Sequence, residues 1–147
     1  MDIFDLLEQE HRDIIALIEK LEQTVQPEQR VVLVRELELK VVPHARAEQG
    51  SMYPFLKRRE ITLRAVQEAE AEHDLAEGLL RDLSRCDPAS AIWDDKFRAL
   101  KDHLEQHFEL EETNLFVAAR KILEASEASM ISEQLPRAKE GFLKGMK

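Results

Sequence analysis

A chain of 147 residues is about the size of one average domain. With 35% charged and 5% aromatic residues, 4 Gly and 5 Pro, it favours helices joined by a few short turns. A net charge of −9 and a pI near 5.1 count against nucleic acid as a partner, because neutralising phosphates needs a basic face.

The compact basic run Lys57-Arg58-Arg59 reads as a solvated helix end. Lone Cys86 excludes an internal disulfide framework and any all-cysteine zinc or iron–sulfur site within one chain. The first residues, Met1-Asp2-Ile3-Phe4-Asp5, lack the basic and apolar regions of a signal peptide. The longest strictly apolar run, Ile14 to Ile18, is far short of a membrane span. The expectation is a soluble cytoplasmic protein with no membrane partner.

Five segments carry helical periodicity. Helix 1 runs from Asp2, a suitable N-cap, to about Gln23. Pro27 suits the first turn of helix 2, which spans roughly Glu28 to Arg59. Helix 3 follows Thr62 and reaches about Arg85. After the turn Cys86-Asp87-Pro88-Ala89-Ser90, helix 4 spans about Ala91 to Glu124. A shorter amphipathic piece, about 127–144, is interrupted by Pro136 and is expected to pack across one end. The fold class is all-α: an up-down-up-down antiparallel four-helix bundle with a short C-terminal helix. Residues 1–147 form one domain, its four-helix core at about 2–124.

Steps of three and four residues pick out one core stripe per long helix. Helix 1 gives Ile3, Leu7, His11, Ile14, Ile18 and Leu21; helix 2 gives Val34, Leu37, Val41, His44, Glu48, Met52 and Phe55. Helix 3 gives Val66, Ala69, His73, Ala76, Leu80 and Leu83; helix 4 gives Phe97, Leu100, Leu104, His107, Glu111, Leu115 and Ala118. Every stripe is apolar except at its middle. Short connections make sequential helices antiparallel neighbours, so the four interruptions fall at one level.

One histidine on an apolar stripe is most often a core imidazole bonded to a carbonyl. Six ionisable groups in one layer are different, because each unpartnered buried group costs a few kcal/mol, about 1–3 for a neutral one and more for a carboxylate. A buried His–Glu hydrogen-bond network is one answer, provided every member is satisfied. A metal is the more direct one, since imidazole nitrogen and carboxylate oxygen are common ligands. His44 and Glu48, like His107 and Glu111, lie four residues apart on one helix face. Each pair can give a nitrogen to one metal while its carboxylate bridges to a second. His11 and His73 supply nitrogens from the other two helices. The pattern also repeats: His11 to His44 is 33 residues, His73 to His107 is 34, and a glutamate (Glu10, Glu72) precedes each single histidine.

The ordered set Glu10-His11, His44-Ala-Arg-Ala-Glu48 leading to Met52-Tyr53-Pro54, Glu72-His73, and His107-Phe-Glu-Leu-Glu111 leading to Leu115-Phe116 resembles the hemerythrin-like (HHE cation-binding) domains over about residues 5–120. The resemblance implies two iron ions in a non-heme, oxo- or hydroxo-bridged centre. Glu48 and Glu111 would bridge, with His11, His44, His73 and His107 as the imidazole ligands. Val117 stands where the family often has proline. Oxygen-carrying hemerythrins have a fifth histidine a turn beyond the helix 3 histidine, where this chain has Glu77. Its own fifth histidine, His103, lies a turn before His107. It is expected to face Glu77, either as a ligand or as a hydrogen-bonding partner, or else to sit at the surface.

The function implied is a cation-binding protein that binds, senses or handles oxygen, nitric oxide or peroxide, or stores iron. Two alternatives remain: a di-iron oxidoreductase consuming peroxide or nitric oxide, and an iron-dependent interaction module. Pro43, unable to donate to the Leu39 carbonyl, is expected to kink or widen helix 2 at the site. Tyr53 reads as core packing before second-sphere donor. In the acidic run Glu109, Glu111 and Glu112, only Glu111 falls on the stripe; the other two read as solvated.

Overall fold

The computed structural model describes residues 2–147 and is helical throughout, with no strand among the described residues. α1 (Ile3–Glu22) is capped by the Asp2 carboxylate, which accepts from the Asp5 N–H at 2.8 Å. α2 (Pro27–Ser51) begins with Pro27 in its first turn, where a missing N–H costs nothing. α3 (Tyr53–Lys57) is one short turn, and α4 (Glu60–Arg85) returns along the bundle. The Ser90 hydroxyl accepts from the Ile92 N–H and starts α5 (Ala91–Leu110). A π-turn (Glu111–Leu115) carries α5 into α6 (Phe116–Ile122), and α7 (Ala125–Met146) completes the chain. α1, α2, α4 and the α5–α6 run form the four-helix core. No helix among the described residues is long and apolar enough to cross a membrane.

Three expectations need correction. Helix 2 does not run unbroken to Arg59 but breaks at Met52, because Pro54 supplies no N–H to the preceding turn. Pro43, by contrast, lies inside continuous α2. The widened turn near the site is instead between α5 and α6, at Glu111–Leu115. Finally, α7 does not cross one end. It passes through Pro136 as one helix and runs antiparallel along α2. Arg59 pairs with Glu127, the Arg46 guanidinium lies over the Phe142 ring, and Arg35 donates to the Met146 carbonyl. Ile131 and Leu135 anchor α7 in the core.

The interior is divided by its polar layer. One apolar cluster gathers Ile18, Leu21, Leu37, Leu80, Trp93 and Leu100. The other gathers Leu7, Met52, Leu56, Val66, Phe116 and Ile131. The histidine level lies between them, with apolar packing above and below it.

Candidate metal centre

His11 (α1), His44 and Glu48 (α2), His73 (α4), His107 (α5) and Glu111 (at the start of the π-turn) are each at most 4% exposed. Their donor atoms form two groups, His11–His44–Glu48–Glu111 and His73–His107–Glu111, within each of which all atoms lie within 4.8 Å. Each carboxylate spans both groups. Glu111 Oε1 is 3.2 Å from His11 Nε2 while its Oε2 is 3.8 Å from His107 Nε2. Glu48 Oε1 is 3.4 Å from both His44 Nε2 and His73 Nε2.

Three glutamates hold the rings from behind. His44 Nδ1 bonds Glu10 Oε1 at 2.7 Å, His107 Nδ1 bonds Glu72 Oε1 at 2.7 Å, and His11 Nδ1 bonds Glu112 Oε2 at 2.9 Å. In each pair the imidazole Nδ1–H donates to the carboxylate, which orients the ring and turns its Nε2 inward. Lys139 of α7 in turn donates to Glu10 Oε2 at 2.5 Å. His73 differs: its buried Nδ1 has no partner, and the Tyr53 ring stacks on it at 5.5 Å. Phe108 stacks on His11 at 4.0 Å.

Sequence reasoning missed these supports. Glu112 serves His11 and is not simply solvated; its place in the π-turn, which periodicity cannot foresee, puts it there. Glu10 and Glu72 did leave a signal, since each precedes a single histidine, yet each anchors the histidine of the neighbouring helix. Tyr53 is also more than packing. Its hydroxyl donates to Glu111 Oε2 at 2.6 Å and lies 3.4 Å from His73 Nε2.

The expected His103–Glu77 pair does not form. The His103 Nε2–H donates to the Glu72 carbonyl at 2.9 Å. Glu77 is instead held by Arg46 through two parallel bonds of 3.0 Å. The guanidinium offers a bidentate match for the carboxylate that an imidazole cannot. Neither side chain belongs to the two donor groups.

The electrostatics are unsatisfied in a way that fits a cation. With their Nδ1 atoms committed to Glu112 and Glu10, His11 and His44 crowd their Nε2 atoms to 3.2 Å from each other, and His11 Nε2 lies equally close to Glu111 Oε1. Both Glu48 oxygens, Glu111 Oε1, His107 Nε2 and His73 Nδ1 are buried without a hydrogen-bond partner. Burial, then the Glu111 charge, pushes the Glu48 carboxyl well above its ordinary range. Burial works the same way on Glu111, but the His11 hydrogen bond and the charges of His107 and His11 outweigh it and hold Glu111 low. Burial and the neighbouring His107 push His73 down to about 3. Burial and the two carboxylates raise the Tyr53 hydroxyl well above its usual value, so it keeps its proton. Imidazole nitrogens and carboxylate oxygens in this arrangement can hold metal ions.

The family model for the hemerythrin HHE cation-binding domain matches residues 2–119. The chain belongs to the hemerythrin HHE cation-binding family. This HHE domain shares its fold with the crystal structure of an HHE cation-binding-domain-containing protein from Mycobacterium kansasii. The TM-score is 0.84 at 24% identity, over 99% of this chain and 89% of the other. It is also 25% identical over 139 residues to a DNA nickase of Nostoc, covering 95% of this chain but only 39% of that protein's length. α7 lies beyond the family match, yet through Lys139 and Glu10 it reaches the HHE centre.

Proposed function

We propose that this HHE domain binds two iron ions and uses them to bind, sense or handle oxygen, nitric oxide or peroxide. The observation that carries the reading is the convergence of six buried His and Glu side chains into two groups of donor atoms, in which both Glu48 oxygens, Glu111 Oε1 and His107 Nε2 have no hydrogen-bond partner. A purely protein network would satisfy its members, and this one does not. Iron bound there would supply a redox-active cation with a coordination position open to a small molecule.

The chain's own residues point to one side for that opening. In the His73–His107–Glu111 group, His107 keeps an unpartnered Nε2. His73 is also the imidazole without a carboxylate behind it, and Tyr53 holds its hydroxyl proton beside it. Phe108, stacked on His11, covers the opposite side. The Tyr53 hydroxyl favours a second reading, in which two peroxide molecules are converted to two waters and oxygen, because that reaction moves protons from one peroxide oxygen to another and a hydroxyl at this place can relay them. Nicking of DNA is not carried over from the Nostoc protein, since a net charge of −9 is unsuited to the phosphate backbone.

Iron-loaded protein exposed to oxygen, nitric oxide or peroxide is expected to change its near-ultraviolet and visible spectrum. Tyr53→Phe should alter the rate of that change while keeping the metal content of the parent. Multiple turnovers of added peroxide would support the oxidoreductase. No spectral response to any of the three would remove small-molecule handling from the account and leave iron storage.

A further inference from the structure

A cavity of about 70 Å3 lies between α4 and the π-turn and leads from the surface to the centre. Exposed Glu68 and Asn114 stand at its mouth, half-buried Ala65 and Glu72 line its wall, and buried His107 and Glu111 form its floor. Two atoms of that floor, His107 Nε2 and Glu111 Oε1, are buried and unpartnered. About 10–15 Å3 suffices to admit one water, so the cavity accommodates an ion that keeps part of its hydration shell.

We propose that this cavity is the port through which a divalent cation reaches the centre. The proposal rests on the reading that the floor residues bind metal, and adds how the metal arrives. Glu68, Glu72 and Glu111 step inward from mouth to floor. A cleft lined by one sign of charge between low-dielectric walls concentrates ions of the opposite sign. Arg64 offsets Glu68 only weakly, because that pair is exposed on the surface of α4. Ala65 and Ala69 keep the passage open by having no side chain beyond Cβ. A neutral diatomic molecule would be indifferent to the sign of charge at residue 68, so charge reversal there reports on cation passage.

The test uses the metal-free full chain and Co2+, with uptake followed by stopped-flow absorbance and release followed by transfer to a chelator. A port residue alters the barrier and not the bound state, so uptake and release slow together while Kd holds. Glu68→Lys is expected to slow both by about three- to tenfold at low ionic strength, with the difference shrinking in salt. Ala65→Trp, which fills the wall, should slow both by about tenfold or more. Glu36→Lys makes the same charge change on the exposed face of α2 and is expected to keep the parent rates. Should Glu68→Lys match Glu36→Lys in both rates, the port is overturned, whether or not Ala65→Trp folds. If the parent itself takes up no Co2+, the metal-centre reading fails, which is a separate result from unchanged rates in a protein that binds.

Discussion

Glu111→Ala is expected to strip the protein of bound metal, with affinity falling by more than the roughly 10–100-fold typical of a supporting residue. Glu111 belongs to both donor groups and reaches His11 with one oxygen and His107 with the other. Its loss removes a ligand from each position and the anionic screen between two cations. Glu112→Ala should fall in the supporting range, about 10–100-fold, because it frees the His11 ring without removing a ligand. Glu109→Ala, on the exposed face, should retain metal as the parent does. Elemental analysis after gel filtration of the three variants, with helicity checked by circular dichroism, ranks them. Equal metal in Glu111→Ala and Glu109→Ala would mean the carboxylate does not bridge.

The second large effect concerns Glu48 in the metal-free protein. Its raised pKa means the folded chain holds a proton that the unfolded chain releases above about 4.5. That contribution is present below 4.5 and lost as pH rises through the folded value, so at pH 7 Glu48 opposes folding. His73 acts at the other end. Held down to about 3, it stays neutral in the fold while the unfolded chain gains a proton below about 6.5. Its contribution is present above 6.5 and lost as pH falls toward 3.

Glu48→Gln removes the first effect and leaves the second. Metal-free Glu48→Gln should therefore be more stable than the metal-free parent at pH 7, by about 1–4 kcal/mol, the range seen when buried charges are replaced. The gap should close as pH approaches 4.5. With iron present the order should reverse, since the parent gains binding energy that the variant cannot match. Thermal unfolding of both proteins, with and without metal, gives the four values needed. A metal-free variant less stable than its parent at pH 7 would show that Glu48 is not a strained carboxylate awaiting a cation.

How much of this was legible in the sequence depended on which side of the helix a residue faces. His11, His44, Glu48, His73, His107 and Glu111 lie on core stripes, where three- and four-residue spacing and burial act together. A polar residue there interrupts a pattern and is visible. Glu10, Glu72 and Glu112 lie off the stripe, among many charged residues of similar appearance. Only the bundle's assembly makes them reach a neighbouring helix, so spacing along one chain could not single them out. The π-turn at Glu111–Leu115 was illegible for a related reason: one extra residue in a turn shifts Glu112 toward His11 without any Gly or Pro to mark it. Prolines misled in both directions. Pro43 and Pro136 lie within continuous helices packed against neighbours, whereas Pro54 accompanies a real break. His103 and Glu77 were placed by helix register alone, which cannot see that Arg46 competes for Glu77.

If the buried His–Glu layer exists to hold metal, folded protein should load with it. The most direct test is elemental analysis of folded protein reconstituted with ferrous iron under anaerobic conditions and passed through a desalting column. About two iron ions per chain are expected, one for each imidazole pair that a carboxylate links to the other. Folded protein that emerges with no bound iron would contradict this, and would leave the facing Nε2 atoms of His11 and His44 without a cause.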